Sequence, residues 1–335
     1  MVATLLISAA LPAQTTWQSL PIASTASFRG LHVVNDRVIW ATGSQGTFLR
    51  SVDGGATWTT GTIPGAARFD IRSLHASSEQ VAFAGATAGR IWMTTDGGKT
   101  WSLRYQAADT AVFIDAIAFW DSRRGMALAD PIGGHFALLV TSDGGATWQE
   151  APAASRPPTR DGEAAFAASG TSLVLLPDGV ALIGSGASAA RVHRSTDWGK
   201  SWTAVDVPIQ SGNGVNGIFS LAFQNARSGI AVGGNYRAPD STRATAAVTG
   251  DGGVSWTPAR SMVSGYRSGA AVTPAGLALA VGTNGTDVSF DGGRSWTSLN
   301  PQGFNAVSIA PNGMAFAVGD RGALARLDTR QLKAR

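Results

Sequence analysis

The chain contains no cysteine, which excludes disulfides, thiolate metal sites and cysteine nucleophiles. Charge is also scarce. Asp, Glu, Lys and Arg make up 14 % of 335 residues, too few for a set of helices with charged outer faces. Among the cations only Lys99, Lys200 and Lys333 are lysines, the others being arginine, and no basic run of nucleic-acid type occurs, so DNA and RNA are not expected partners. No dinucleotide fingerprint and no metal-ligand constellation is present, and no cofactor is expected. No apolar run after the N-terminus is long enough to cross a bilayer.

Glycine, by contrast, is abundant. The 42 glycines, with 44 % apolar residues and few windows of 3.6-residue periodicity, indicate many short strands joined by tight turns. The opening segment, residues 1–13, is apolar and rich in small residues. It ends at Leu11-Pro12-Ala13, which resembles the core and cleavage site of a signal peptide without its basic start, so export to the periplasm or medium is expected. Residues 14–330 form one domain and 331–335 a tail, and the chain is expected to be a monomer.

An internal repeat decides the architecture. The stretch SVDGGATW, Ser51 to Trp58, recurs as TTDGGKTW, TSDGGATW, STDWGKSW, TGDGGVSW and SFDGGRSW. Its aspartates are Asp53, Asp96, Asp143, Asp197, Asp251 and Asp291, at intervals of 43, 47, 54, 54 and 40 residues, the period of a four-stranded propeller blade. Asp-Gly-Gly supplies the positive-φ residues of a tight hairpin, and the Trp after it offers an apolar face to a neighbouring blade. A seventh unit, Gly282 to Asp291 repeated as Gly319 to Asp328, lacks its fourth strand. The segment Thr15 to Pro21 resembles that missing strand. The expected fold is therefore an all-β, seven-bladed propeller of four-stranded antiparallel blades, with the N-terminal strand completing the last blade and closing the ring.

The hairpin repeat is similar to the Asp-box, or BNR repeat, of sialidases and other propellers. Together with FRG (28–30), FIDAIAFWDSRRGMALADP (113–131), AAFAASGTS (164–172) and GYRS (265–268), its arrangement resembles the bacterial branch of the photosystem II stability and assembly factor family, from about Trp17 to Leu327. That resemblance implies a non-catalytic propeller docking a protein partner on an arginine-rich surface. The hairpin by itself specifies a fold and is nearly silent on function.

Strand parity puts the repeated hairpins on one face and the other connections on the opposite, upper face. Aligning the inner strands on the glycine that ends each second strand gives one equivalent position per blade: Arg29, Arg72, Asp115, Thr171, Phe219, Arg267 and Asn305. Arg267, Asn305, Arg29 and Arg72 are then neighbours at the channel mouth, where three guanidinium groups would call for a carboxylate, a phosphate or an acidic peptide. On this reading, replacing Arg29 and Arg267 by alanine abolishes anion binding and spares stability. The competing possibility is that each arginine pairs with Asp70, Asp115 or Glu163 and braces adjacent blades. Asp130, His135, Glu163, Tyr236, Arg237 and Tyr266 belong to the same upper surface by parity, which also gathers the long segments 150–166 and 233–246.

A sialidase-like exo-glycosidase is the alternative, with the arginines holding a substrate carboxylate and Asp115, Glu163 and Tyr236 or Tyr266 as the catalytic set. Against it, Phe28-Arg29 is followed by Gly30-Leu31 where sialidases carry Ile-Pro, and the Tyr and Glu do not follow the sialidase order. His32 and His75 occupy matching positions on adjacent blades and are read as packing residues, not as metal ligands.

Overall fold

The structure, a computed structural model, describes residues 16–334; the leader expected over 1–13 lies outside the described residues. Seven four-stranded antiparallel sheets form a ring of blades. Blade one runs outward through Phe28–Val33, Ile39–Gly43, Thr47–Ser51 and Thr59–Thr62. Blade seven consists of Ala306–Ile309, Met314–Val318 and Leu324–Asp328, and its outer strand is Gln18–Ser19 from the other end of the chain. Trp17 takes the place of the missing hairpin tryptophan: it packs edge-on against Phe304 at 5.1 Å and donates its Nε1–H to Thr286 Oγ1 of blade six at 3.0 Å. Closure leaves the ring without an open end.

The core is divided among the seven inter-blade interfaces, each filled by alternate side chains of facing sheets. Between blades one and two it contains Trp40, Phe48, Ile71, Leu74 and Trp92; between blades seven and one, Phe28, Ile39, Leu49 and Phe316. The repeated hairpin fastens each interface. In the first, Asp53 accepts from Ser51 Oγ, from the Thr57 amide and from Thr57 Oγ1, and all six repeats bond their Asp to the Ser or Thr two positions before it and to the amide of the residue four after it. These donors hold Asp53, Asp96, Asp143, Asp197 and Asp251 at a pKa of about 2. The first Gly of the turn donates to the loop joining the two inner strands, as Gly54 does to the Arg37 carbonyl, which fixes the hairpins on the lower face.

The second Gly lies against the preceding blade. At Gly145, φ is +80°, and a Cβ would stand 2.2 Å from Cε1 of Phe83 in blade two. Gly145→Ala therefore combines a left-handed penalty with an overpacked aromatic contact and is expected to lower stability by about 1–3 kcal/mol, read as the shift of a urea midpoint. The same change at Gly65, where φ is +76° and nothing lies within 4 Å, should cost less.

The long segment 150–166 is in part sheet. Glu163–Ala164 and Gly186–Ala187 form a small ladder that joins the inner edge of blade five through Gly186 and Gly217.

Candidate functional site at the upper channel mouth

The upper mouth is shaped by β-bulges at the head of the inner strands. In blade one the pairing passes from Phe28↔Gly43 to Gly30↔Thr42, leaving Arg29 as the extra residue. The same irregularity frees Arg72, Asp115 and Phe219 in blades two, three and five. A bulge re-aims the inserted residue out of the sheet's alternation. Asp130, on the second strand of blade three, is itself skipped between Ala129↔Ala137 and Pro131↔Phe136.

Arg29 and Arg72 retain side-chain exposures of 22 % and 35 %. Arg72 donates Nε–H to Asp70 at 2.7 Å and lies over the Phe113 ring at 5.4 Å; Arg29 reaches Asp320 only at 4.0 Å. Burial pushes the Tyr266 phenol up, against the pull of the Arg29 and Arg72 charges. Tyr266 stands edge-on to Phe219 at 4.8 Å, Phe219 stacks on Phe166 at 4.0 Å, and the half-exposed Tyr236 meets Phe219 edge-on at 6.2 Å. These rings form an aromatic floor beside the arginines. Arg237 lies 5.9 Å over Tyr236.

Asp115 is buried and its Oδ2 has no partner. Burial first, then the charge of Asp130, pushes its carboxyl well above the ordinary range, against the pull of Arg72. Asp130 is raised by burial as well. Asn305 joins the last blade to the first, donating Nδ2–H to the Phe28 carbonyl at 3.1 Å and to Asp320 at 2.8 Å. Below the floor, hydroxyls stitch inner strands together: Ser169 to the Ser268 carbonyl at 2.7 Å, and Ser268 to the Asn305 carbonyl at 2.8 Å.

Arg267 is not at the mouth. In blade six Gly269 pairs with Val281 as Gly30 pairs with Thr42, so the residue matching Arg29 is Ser268. Displaced by one position, the Arg267 side chain runs into the blade at 1 % exposure. There it donates Nε–H to Asp287 at 2.6 Å and Nη1–H to the Tyr266 carbonyl and Asn284 Oδ1, each at 2.7 Å. Thr171 is offset in the same way, because Ser172 precedes the first paired residue Leu173. The spacing Arg-Gly at 29–30 against Arg-Ser-Gly at 267–269 was the available signal.

Glu163 belongs to a different assembly. Its carboxylate, fully buried, takes bonds from Ser185, Arg191, His193 Nε2 and the Arg160 amide, and no tyrosine donates to it. Burial works to raise Glu163, but the bonds from His193, Arg191 and Ser185 hold it at about 2. His193 is lowered by burial, opposed by Glu163. His32 and His75 pack edge to face at 4.6 Å, and burial lowers His32 to about 4 and holds His75 well below its ordinary value. Histidines lowered in the fold take up protons on unfolding below about pH 6.5, and Glu163, depressed from 4.5, does so between about 4.5 and 2. Both signs agree, so the urea midpoint should fall as pH drops from 6.5. Glu163→Gln should flatten the part of that fall below pH 4.5.

His135 lies on the upper hairpin of blade three, beside Pro158. Among the described residues no group of three His, Asp or Glu could hold a metal ion, and no helix is long and apolar enough to cross a membrane.

The fold and mouth can be set against known proteins. No family model matches the chain, and no curated protein sequence does. Solved structures match over nearly its whole length. YCF48 bound to a D1 peptide superposes with a TM-score of 0.66 at 17 % identity, covering 93 % of this chain and 96 % of that one. YCF48 from Cyanidioschyzon merolae gives 0.66 at 17 %, covering 94 % and 99 %. The WD40 repeats of RRP9 give 0.64 at 13 %, covering 93 % and 99 %. The chain shares the propeller fold of YCF48. At these identities the likeness is one of fold.

Proposed function

We propose that this chain is a non-catalytic propeller that binds an acidic segment of a protein partner at its upper channel mouth, in the manner of a photosystem II assembly factor-like protein. The observation that carries this reading is the pair of bulge-borne arginines, Arg29 and Arg72, set beside one another on adjacent inner strands, part-exposed and next to an aromatic floor. Guanidinium groups take carboxylates in bidentate fashion, and flanking rings favour an extended peptide carrying apolar side chains. The neighbouring fold of YCF48, seen with a D1 peptide, lends support to a peptide as occupant. Asp320 and Asp70 are the present partners of these arginines, so an acidic ligand must compete with one loose and one part-exposed ion pair.

The sialidase-like alternative needs a carboxylate polarising a tyrosine. Glu163 spends both oxygens inside its own network, so the set Asp115, Glu163 and Tyr236 offers no such pair. The test is titration of the protein with a hexaglutamate peptide at rising salt. Binding that weakens with salt and is lost in the Arg29→Ala, Arg72→Ala double variant supports the reading. Release of chromophore from an aryl sialoside, lost in Asp115→Asn, would replace it by the hydrolase.

A further inference from the structure

The lower face holds a second hollow that neither the repeat nor the channel explains. Between blades three and four a cavity of about 410 Å³ is lined by Trp120, Arg124, Thr147, Gln149, Trp198 and Lys200 among others, a volume suited to one or two sugar rings.

Its wall includes a backbone outlier. The hairpin of blade four reads Asp197-Trp198-Gly199 where the other five carry Asp-Gly-Gly, and Trp198 adopts φ +66° at the position held by Gly54, Gly97, Gly144, Gly252 and Gly292 at φ between +72° and +76°. A bulky residue in the left-handed region is a genuine outlier, and glycine would satisfy the turn without strain. The indole is held in place by its surroundings: it lies over Gly179, meets Trp120 edge-on at 5.4 Å, and carries the Arg124 guanidinium 3.5 Å from its ring centroid.

Polar groups around the hollow are unevenly charged. Arg124 is paired with Asp121, while Lys200 is exposed and has no ion pair among the described residues. Arg123 borders the adjoining hollow with Ser122 and Ser142. The other nearby carboxylates, Asp143 and Asp197, are consumed by their own turns. Ser142, Gln149 and Ser155 supply hydroxyl and amide groups at the rim. Trp120 gives its Nε1–H to the Val180 carbonyl, so this indole offers the hollow apolar surface and no donor.

From this combination we infer that the hollow between blades three and four binds a carboxylated oligosaccharide, with the Trp120 and Trp198 indoles walling the sugar and the unpaired Lys200 taking the carboxylate. Aromatic surface framed by amides and hydroxyls matches the alternating apolar and hydroxyl faces of a pyranose, and the cation excess selects an acidic sugar. A peptide strand is less suited, because the sheet edge here, Gln149–Glu150, is only two residues long.

The probe is α-1,4-linked trigalacturonate, with maltotriose as its neutral counterpart, followed by tryptophan fluorescence and calorimetry on the full chain. Trigalacturonate should bind and maltotriose should bind at least about tenfold more weakly. Lys200→Gln should weaken trigalacturonate by about tenfold, being the loss of one charge-assisted contact. Trp198→Gly, which restores the residue of the other hairpins, should abolish binding with the thermal midpoint kept within a few degrees. Absence of binding overturns the inference, as does equal affinity for maltotriose or insensitivity to Lys200→Gln. A large drop in melting temperature of Trp198→Gly with no binding in the parent would make Trp198 a bolt between blades. Concentration-dependent dimers dissolved by Lys200→Glu would make the hollow an interface between copies. None of these outcomes bears on the upper mouth, where hexaglutamate is the probe.

Discussion

Arg267→Ala is expected to destabilise the protein by about 3–5 kcal/mol, because it leaves the Asp287 carboxylate in the interior without its cation. Asp287 is 0 % exposed and otherwise accepts only from the Ser264 amide at 3.1 Å and Ser264 Oγ at 2.6 Å. The lost guanidinium also strands the Tyr266 carbonyl and Asn284 Oδ1. Equilibrium urea denaturation gives the number. The double variant Arg267→Met, Asp287→Leu removes both charges and should recover most of the loss, as buried ion pairs exchanged for apolar residues often do. A midpoint for Arg267→Ala that matches the parent would show that the pair does not brace blade six. This expectation reverses the one drawn from inner-strand alignment, in which Arg267 served an anion site and its removal left stability untouched.

Replacing Arg29 and Arg72 together by alanine should act on binding and not on folding. Each charge-assisted hydrogen bond to a carboxylate is worth about 1.5–3 kcal/mol, so loss of both predicts weakening of hexaglutamate by at least about 100-fold. Their present ion pairs are loose or part-exposed, at 4.0 Å to Asp320 and beside Asp70 at 35 % exposure, and such pairs contribute at most about 1 kcal/mol. Calorimetric titration at two salt concentrations, with melting curves of the same samples, separates the outcomes. A drop in stability as large as that of Arg267→Ala, with affinity unchanged, would make these arginines braces too. Lysine at both positions should keep the charge but lose the planar fork, giving intermediate affinity.

The blade count, the hairpins and the closure of the ring were legible in the sequence, since each depends on local turn chemistry and a fixed period. Asp-Gly-Gly requires positive φ wherever it occurs, and Trp17 could be assigned to blade seven because its segment resembles the outer strand that every other hairpin leads into. Likewise, His32 and His75 were legible as packing partners. Glu163 was misplaced for a different reason: its partners Ser185, Arg191 and His193 follow it by 22, 28 and 30 residues, at no spacing that a repeat or motif advertises.

The sequence by itself therefore determined the propeller and the face on which each connection lies, because both derive from periods that the chain writes out residue by residue. Only the tertiary structure decided which arginines stay part-exposed and which are buried. Side chains alternate across a strand with a period of two, so a single extra residue sends a guanidinium to the other side. Arg29 and Arg72 sit on such a residue and stay part-exposed, whereas Arg267, one position before the equivalent Ser268, turns inward to Asp287.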